Sequence, residues 1–415
     1  MKILQVSAYD IQGGAGKAAF RLHESLVDRD LDSTMLVQLK HSDLTSIHNR
    51  GSKLSKFTAL IKPPLDKLYT NRYKDKSKTL FSCSRLPFTN ISNWINSYSP
   101  DIVHLHWVNS GMLNIKDISR INAPIVWSFH DMWPFTGGCH YDEECGRFVE
   151  KCGQCKVLAS QRDIDLSSSN WEKKYSIWAS KKEMVGIGLS SWIADQARKS
   201  SIFKNHIINH IPNLIDTAVY CPIDKAQAKS ILGLSPQKKL VLFGAVNALD
   251  DPRKGFPLLT QALSQLDQHK IEFLVFGASE SNTRYDHSNK VNYIGKLSDD
   301  ISLKLIYNAA DVTVLPSIQE NLSNVVLESL ACGTPVTAFN IGGNSDLIEH
   351  CINGYLADPF SSEDLSSGIQ WVLNHPNYMS LSKSSREKVL NEFSPNVVLP
   401  KYINLYEELL SGQFW

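Results

Sequence analysis

The sequence predicts an α/β chain of two parallel-sheet domains in series, and three observations predict it. Short apolar runs of strand length alternate with helix-length segments, the pattern of parallel sheets covered by helices. The alternation runs through the first half of the chain and restarts after about residue 211. A glycine-rich turn sits directly behind the first apolar run, where a doubly wound domain places a ligand-binding loop. At roughly 100–200 residues per domain, a chain of 415 residues has room for two or three.

The elements follow in order. Strands are predicted at residues 3–7, 34–38, 102–106, 125–129 and 185–189, with a helix at 15–30 behind the first. The second series has strands at 240–244, 273–276, 312–315 and 336–339 and helices at 256–268, 299–310 and 322–332. Everything from residue 362 onward reads as helical, and 397–410 is placed to cross back onto the first domain. The predicted division is therefore a Rossmann-like domain over 1–210, a second over 211–392, and a C-terminal helix over 393–415 that returns to the first. A basic insertion (about 50–80) and a cysteine-rich insertion (about 136–158) interrupt the first domain. Two such domains would face each other across a cleft, with ligands at the carboxyl ends of the strands.

Composition excludes several classes. The charges nearly cancel, 43 Lys+Arg against 42 Asp+Glu, so no global basic field exists to hold nucleic acid. At 42% hydrophobic the chain can fill large cores and is not a disordered protein. No run reaches the length of a membrane span, and Met1–Ser7 reads as a buried strand rather than a secretory leader. A cytoplasmic location is expected, with thiols as the default state of the eight cysteines. The balance hides one imbalance. Residues 50–80 hold nine Lys/Arg and two Asp, a net +7, which leaves −6 on the remainder. Apolar residues interleave with these charges. The segment is either a solvated insertion, interrupted by Pro63-Pro64, or a surface that docks on anionic lipid at the inner face of the plasma membrane.

The turn Gln12-Gly13-Gly14-Ala15-Gly16-Lys17 opens a helix, where backbone N–H groups suit a phosphate. Ala18 follows Lys17 where a P-loop needs Ser or Thr, so a phosphate-proximal role for Gly13 and Gly14 competes with a plain strand-to-helix turn. His104 and His106 share one strand face by their period of two. They either line an acceptor side or pack in the core. His130 closes the strand at 125–129, and Asp131 beside it either joins a site or caps the next segment.

The richest stretch runs from Pro316 to Asn344. It reads as a strand end, a loop with Glu320, a helix carrying Glu328, a glycine stop, a strand and a Gly342-Gly343 turn. Asn321, Leu322 and Ser323 are predicted to begin the helix, with N–H groups open to an anion. Two carboxylates so spaced suit two sets of hydroxyls separated by phosphates. The plainer account is a capped helix with two solvated glutamates.

Glu320-x7-Glu328, followed by Ala331-Cys332-Gly333-Thr334-Pro335-Val336 and the Gly-Gly turn, resembles the retaining glycosyltransferases of family 4, which have the GT-B fold. Pro212-Asn213 with Asp216, Asp251-Pro252-Arg253-Lys254-Gly255-Phe256 and Phe129-His130-Asp131 continue the likeness over nearly the whole chain. The run Phe129–Phe135 with the cysteine-rich segment resembles a bacterial exopolysaccharide subgroup. The resemblance implies that Glu320 holds donor-sugar hydroxyls, Glu328 the ribose, and Arg253 and Lys254 the diphosphate. It implies that His130 contacts the donor sugar and that the amides of Asn321, Leu322 and Ser323 help place sugar and phosphates; Gly14 is expected on the donor side, and Gly13, His104, His106 and Asp131 toward the acceptor, with the alternatives above still open. Gly295, Lys296 and Leu297 are expected to hold the base through backbone contacts. The donor implied is a UDP- or GDP-sugar, the acceptor a saccharide or lipid-linked saccharide, and no catalytic cofactor is required. Many relatives carry an Arg where this chain has Ala248.

Cys139, Cys145, Cys152 and Cys155 lie close in sequence, but only Cys152-Gly153-Gln154-Cys155 has tight metal-ligand spacing. A structural zinc, disulfides and free thiols all remain open for them.

Overall fold

The computed structural model describes the whole chain except residues 52, 87–89, 245–250, 268, 278–290, 298 and 413–415, and the side chains of 53–56. Ala248 lies outside the described residues. Two compact units result: Met1–Asn213 with Leu399–Trp415, and Leu214–Val398.

In the first unit, β1 (Lys2–Tyr9), β2 (Asp32–Leu39), β3 (Ile47–His48), β4 (Ile102–Leu105), β5 (Ile125–Phe129), β6 (Met184–Gly188) and β7 (Ile208–His210) form a parallel sheet in the order β3-β2-β1-β4-β5-β6-β7. In the second, β8 (Lys239–Gly244), β9 (Ile271–Phe276), β10 (Val291–Tyr293), β11 (Val312–Leu315), β12 (Val336–Phe339) and β13 (Gly354–Ala357) are ordered β10-β9-β8-β11-β12-β13, also parallel. In both sheets the order reverses beside the first strand of the unit, the point at which such folds open a crevice beyond the strand ends.

Alternation explains the first core. Gln5 of β1 pairs in register with His104 of β4, which pairs with Val126 of β5. Leu4, Val6, Val103, Leu105, Trp127 and Phe129 therefore share one face and join the main apolar cluster. Each such side chain stabilises the fold by about 1.5–3 kcal/mol on burial. The opposite face carries the buried polar residues Gln5, His104 and Ser128. In the second unit Val241, Phe243, Val275, Val312 and Val314 from the sheet pack with Phe256, Leu259, Leu365 and Ile369 from helices.

Several expectations shift. The helix predicted at 322–332 runs over Asn324–Ala331, because the Ser323 hydroxyl caps it by accepting the Val326 N–H. Asn321, Leu322 and Ser323 thus form the loop before the helix instead of its first turn. Pro63 and Pro64 do not interrupt the basic segment: both lie inside the helix Lys53–Lys67. That helix is anchored from its last turn, where buried Asp66 accepts the backbone N–H groups of Cys83 and Ser84. The short strands β3, β7 and β13 have two to four residues and carried too little pattern to be predicted.

Candidate active site

In the second unit, the loops behind β8, β11 and β12 converge on Glu320. Asp251 caps the turn Pro252–Lys254 by accepting the Arg253 N–H, and its carboxylate pairs with the Arg253 guanidinium at 2.9 Å. The Arg253 carbonyl accepts the Ile318 N–H, tying this turn to the loop after β11. Lys254 then donates from Nζ to Glu320 Oε2 at 2.7 Å, and Ser317 Oγ donates to the same oxygen at 3.1 Å. Two glycines make the approach possible. A Cβ on Gly255 would lie 1.8 Å from the Pro316 carbonyl oxygen, and one on Gly342 would lie 1.9 Å from that of Glu320. Both also have positive φ, where a side chain is strained.

Glu320 is only 7% exposed, which excludes a solvated glutamate. Burial opposes its charge, but Lys254 and then Arg253 outweigh burial and hold the carboxyl below its ordinary value. Glu328 is 3% exposed and accepts the Tyr307 hydroxyl at 2.9 Å. Burial, then the Glu328 charge, pushes the Tyr307 phenol well above its ordinary value, so it serves as a permanent donor. Gly295, Lys296 and Leu297 follow β10, and the Gly295 carbonyl accepts the Gly277 N–H beyond β9. Arg253, Lys254, Ser317, Glu320, Gly342 and Gly295 follow the carboxyl ends of parallel strands, where an open α/β sheet receives a ligand, whereas Tyr307 and Glu328 lie within helices. The character of the site is a buried carboxylate matched to cations.

In the first unit, Gly13 and Gly14 are exposed and open the helix Gly13–Val27, which has no side-chain cap and no acidic residue in its first turn. Its approach to β1 requires Gly16, whose Cβ would meet the Asp10 carbonyl at 2.8 Å. The polar face of the sheet leads to His130. His104 and His106 stack at 4.3 Å, as their period of two predicts. Both ring nitrogens of His104 are engaged, by Tyr406 OH at 2.7 Å and Ser128 Oγ at 2.8 Å, which favours the core alternative for this residue. His106 reaches His130, Nδ1 to Nε2, at 3.1 Å. Asp131 accepts the Trp133 N–H, although the cap position of the turn Trp133–Phe135 is Met132, and it also accepts from Trp107 Nε1 at 2.9 Å and pairs with His140 at 2.6 Å. Burial opposes the Asp131 charge, and His140 more than offsets it.

The cysteine-rich segment has a small core of its own. Cys139 and Cys155 pack with Phe81, Cys83, Val157, Leu158 and Leu166. All four cysteines are free. Burial pushes the Cys152 thiol up to about 12 and that of Cys155 to about 11. Among the described residues no group of three or more His, Cys, Asp or Glu side chains is arranged to hold a metal ion. Cys139, Cys152 and Cys155 feel one another's charge, and Cys145 acts on Cys152 and Cys155; the segment also has apolar packing that its polar sequence concealed. Beneath it, buried Lys174 donates to the Trp133 and Thr136 carbonyls and lies 3.6 Å from the Trp133 ring centre. Burial brings Lys174 down to about 7.

Sequence reasoning missed Gln5, Ser128, Tyr406, Ser317 and Tyr307. Gln5 had a signal, a polar residue within an apolar strand; Ser317 lies three residues from Glu320, and Ser128, Tyr406 and Tyr307 depend on contacts more distant in sequence.

Residues 224–388 match the family described as glycosyl transferases group 1. Over those residues the second domain is similar to the group 1 glycosyl transferases. Over the whole chain, the putative colanic acid biosynthesis glycosyl transferase WcaC of Escherichia coli K12 is 22% identical, covering 99% of this chain and 100% of its own. Among solved structures, sucrose-phosphate synthase from Thermosynechococcus elongatus superposes with a TM-score of 0.71 at 19% identity, covering 99% of this chain and 100% of the other. Anabaena Alr3699/HepE, in complex with UDP and glucose, gives 0.66 at 16% identity, with 98% and 100% covered. The matched domain thus sits in a chain with the GT-B fold, and the Glu320–Lys254 pair lies within the matched residues.

Proposed function

We propose that this glycosyltransferase moves a sugar from a UDP- or GDP-sugar to a saccharide or lipid-linked saccharide, with retention, in surface polysaccharide synthesis. The observation that carries the reading is the buried Lys254–Glu320 pair, aimed by Gly255 and Gly342. Departure of a nucleoside diphosphate builds negative charge, and Lys254 with Arg253 supplies fixed cations where water would otherwise have to reorganise. Glu320 holds the Lys254 side chain in place and accepts donor-sugar hydroxyls. Glu328, held by Tyr307, accepts ribose hydroxyls. Among the described residues no carboxylate pair is assigned to flank a sugar as in retaining glycosidases; on this reading attack comes from the same face as the leaving group, with a diphosphate oxygen taking the acceptor proton. Family 4 membership rests on the motif series, the polysaccharide role on the likeness to WcaC, and the UDP-sugar choice on the likeness to HepE.

Nucleoside diphosphates should raise the melting temperature of the protein through mass action, about 2.7 kcal/mol of stabilisation at a hundred times Kd. A thermal-shift panel of UDP, GDP, ADP and their sugars checks this. No shift with any of them would remove the donor assignment.

Acceptor supply from a membrane has its own support. Phe57, Leu60 and Leu68 are 60%, 64% and 58% exposed, at three-, eight- and eleven-residue spacings along one helix and its end. Lys67, Arg72 and Lys74 beside them are exposed. Among the described residues no helix is long and apolar enough to cross a membrane. We infer peripheral docking of this surface on anionic lipid at the inner leaflet. The protein should co-sediment with phosphatidylglycerol vesicles at low salt, and Leu60→Glu with Leu68→Glu should release it. Equal recovery with phosphatidylcholine vesicles would contradict the assignment.

A further inference from the structure

The first unit contains a hydrogen-bonded series that reaches His130 and that no part of the reading above uses. Gln5 Oε1 lies 2.5 Å from His106 Nε2. With the Gln5 amide set so that its carbonyl oxygen faces the ring and its nitrogen is left without a partner, that oxygen accepts and His106 carries a proton on Nε2. With His106 neutral, the lone pair is on its Nδ1, 3.1 Å from His130 Nε2, and His130 must donate there. We propose that Gln5 and His106 are positioning residues for His130, holding it as the neutral imidazole with its proton on Nε2 and its lone pair on Nδ1.

The surroundings enforce neutrality. His104 stacks on His106 at 4.3 Å, and its own nitrogens are engaged by Tyr406 of the C-terminal segment and by Ser128 of β5. Tyr402 lies against the His104 ring at 5.7 Å. The charged groups nearby are Asp131, which is already paired with His140, and Lys174 beyond it. Burial takes His130 down to about 4 and His104 to about 3, and drives His106 well below its ordinary range. A histidine in this state accepts hydrogen bonds from hydroxyls through Nδ1 and brings no charge to the sugar. That consequence for transfer rests on the function proposed above; the tautomer itself does not.

The test is a long-range ¹H–¹⁵N correlation spectrum of the full chain labelled at histidine, with His130 assigned by its loss in His130→Asn. At neutral pH the His130 signal should report protonated Nε2 and unprotonated Nδ1. A proton on Nδ1, or a charged ring, would overturn the proposal whether or not the protein transfers sugar. Gln5→Glu places a carboxylate at the head of the series and should raise the pH at which the His106–His130 pair charges by about 1–3 units. The acidic limb of kcat/KM should move upward by the same interval. Equal loss of activity at every pH, with no movement of the limb or the titration, would show a merely structural role. Should Gln5→Glu fail to fold, Gln5→Met, checked by its melting curve, removes the acceptor without charge. It should give mixed His130 tautomers, and an unchanged spectrum would overturn the proposal.

Discussion

Replacing Glu320 by alanine is expected to lower turnover by about 10²–10³-fold while nucleoside diphosphate binding persists. The size follows from the loss of one preorganised group that acts on the transition state, about 2.7–4 kcal/mol. Glu320 has two duties on the proposed reading. It accepts sugar hydroxyls, and it holds the Lys254 ammonium through a 2.7 Å contact. Alanine removes both, yet leaves Lys254 and Arg253 able to meet a diphosphate. A steady-state assay of diphosphate release, run beside calorimetric titration with the diphosphate, separates the two effects. Near-normal turnover would remove Glu320 from the site. Because the Gly342 turn packs on the Glu320 backbone rather than on its side chain, the substitution leaves that turn in place.

Lys254→Ala should cost a similar 10²–10³-fold in turnover, and it should also weaken diphosphate binding. Its second signature is in stability. The folded Glu320 carboxyl titrates below its ordinary value, so its contribution is present above the unfolded pKa and is lost as pH falls through the folded one. Without Lys254 the carboxyl stays buried and loses its main partner, and burial then raises it. The sign reverses: Lys254→Ala should lose stability as pH rises through the new value and recover it on acidification. Melting curves between pH 4 and 8 check this. Parallel curves for the variant and the parent would show that the pair is not coupled as the geometry implies.

Much of this architecture was legible because its strands carry clear patterns. β5, β11 and β12 stand where the apolar runs placed them, at Ile125–Phe129, Val312–Leu315 and Val336–Phe339. Short edge strands such as Ile47–His48 were not, since two residues show no period. The site was legible where one residue type implies one task. Gly255 and Gly342 stand where any side chain would strike a carbonyl, and the Glu320-x7-Glu328 spacing survives as two buried carboxylates. What was hidden are partners far along the chain. Tyr406 meets His104 across 302 residues, and Tyr307 reaches Glu328 from a neighbouring helix. The Ser323 cap delayed the helix start because its hydroxyl competes for the N–H groups of the first turn. Pro63 and Pro64 misled for a related reason: tertiary anchoring at Asp66 outweighed a local breaker signal.

The central claim is that the Glu320–Lys254 centre works on a nucleotide sugar. The most direct measurement is release of nucleoside diphosphate from a panel of UDP- and GDP-sugars by the purified full chain, with product configuration read by NMR. Turnover of at least one donor is expected, with the donor's anomeric configuration kept in the product and activity lost in Glu320→Ala. Binding of the diphosphates without turnover of any donor, with water or saccharide acceptors present, would contradict it and mark the chain as a silent nucleotide-binding subunit.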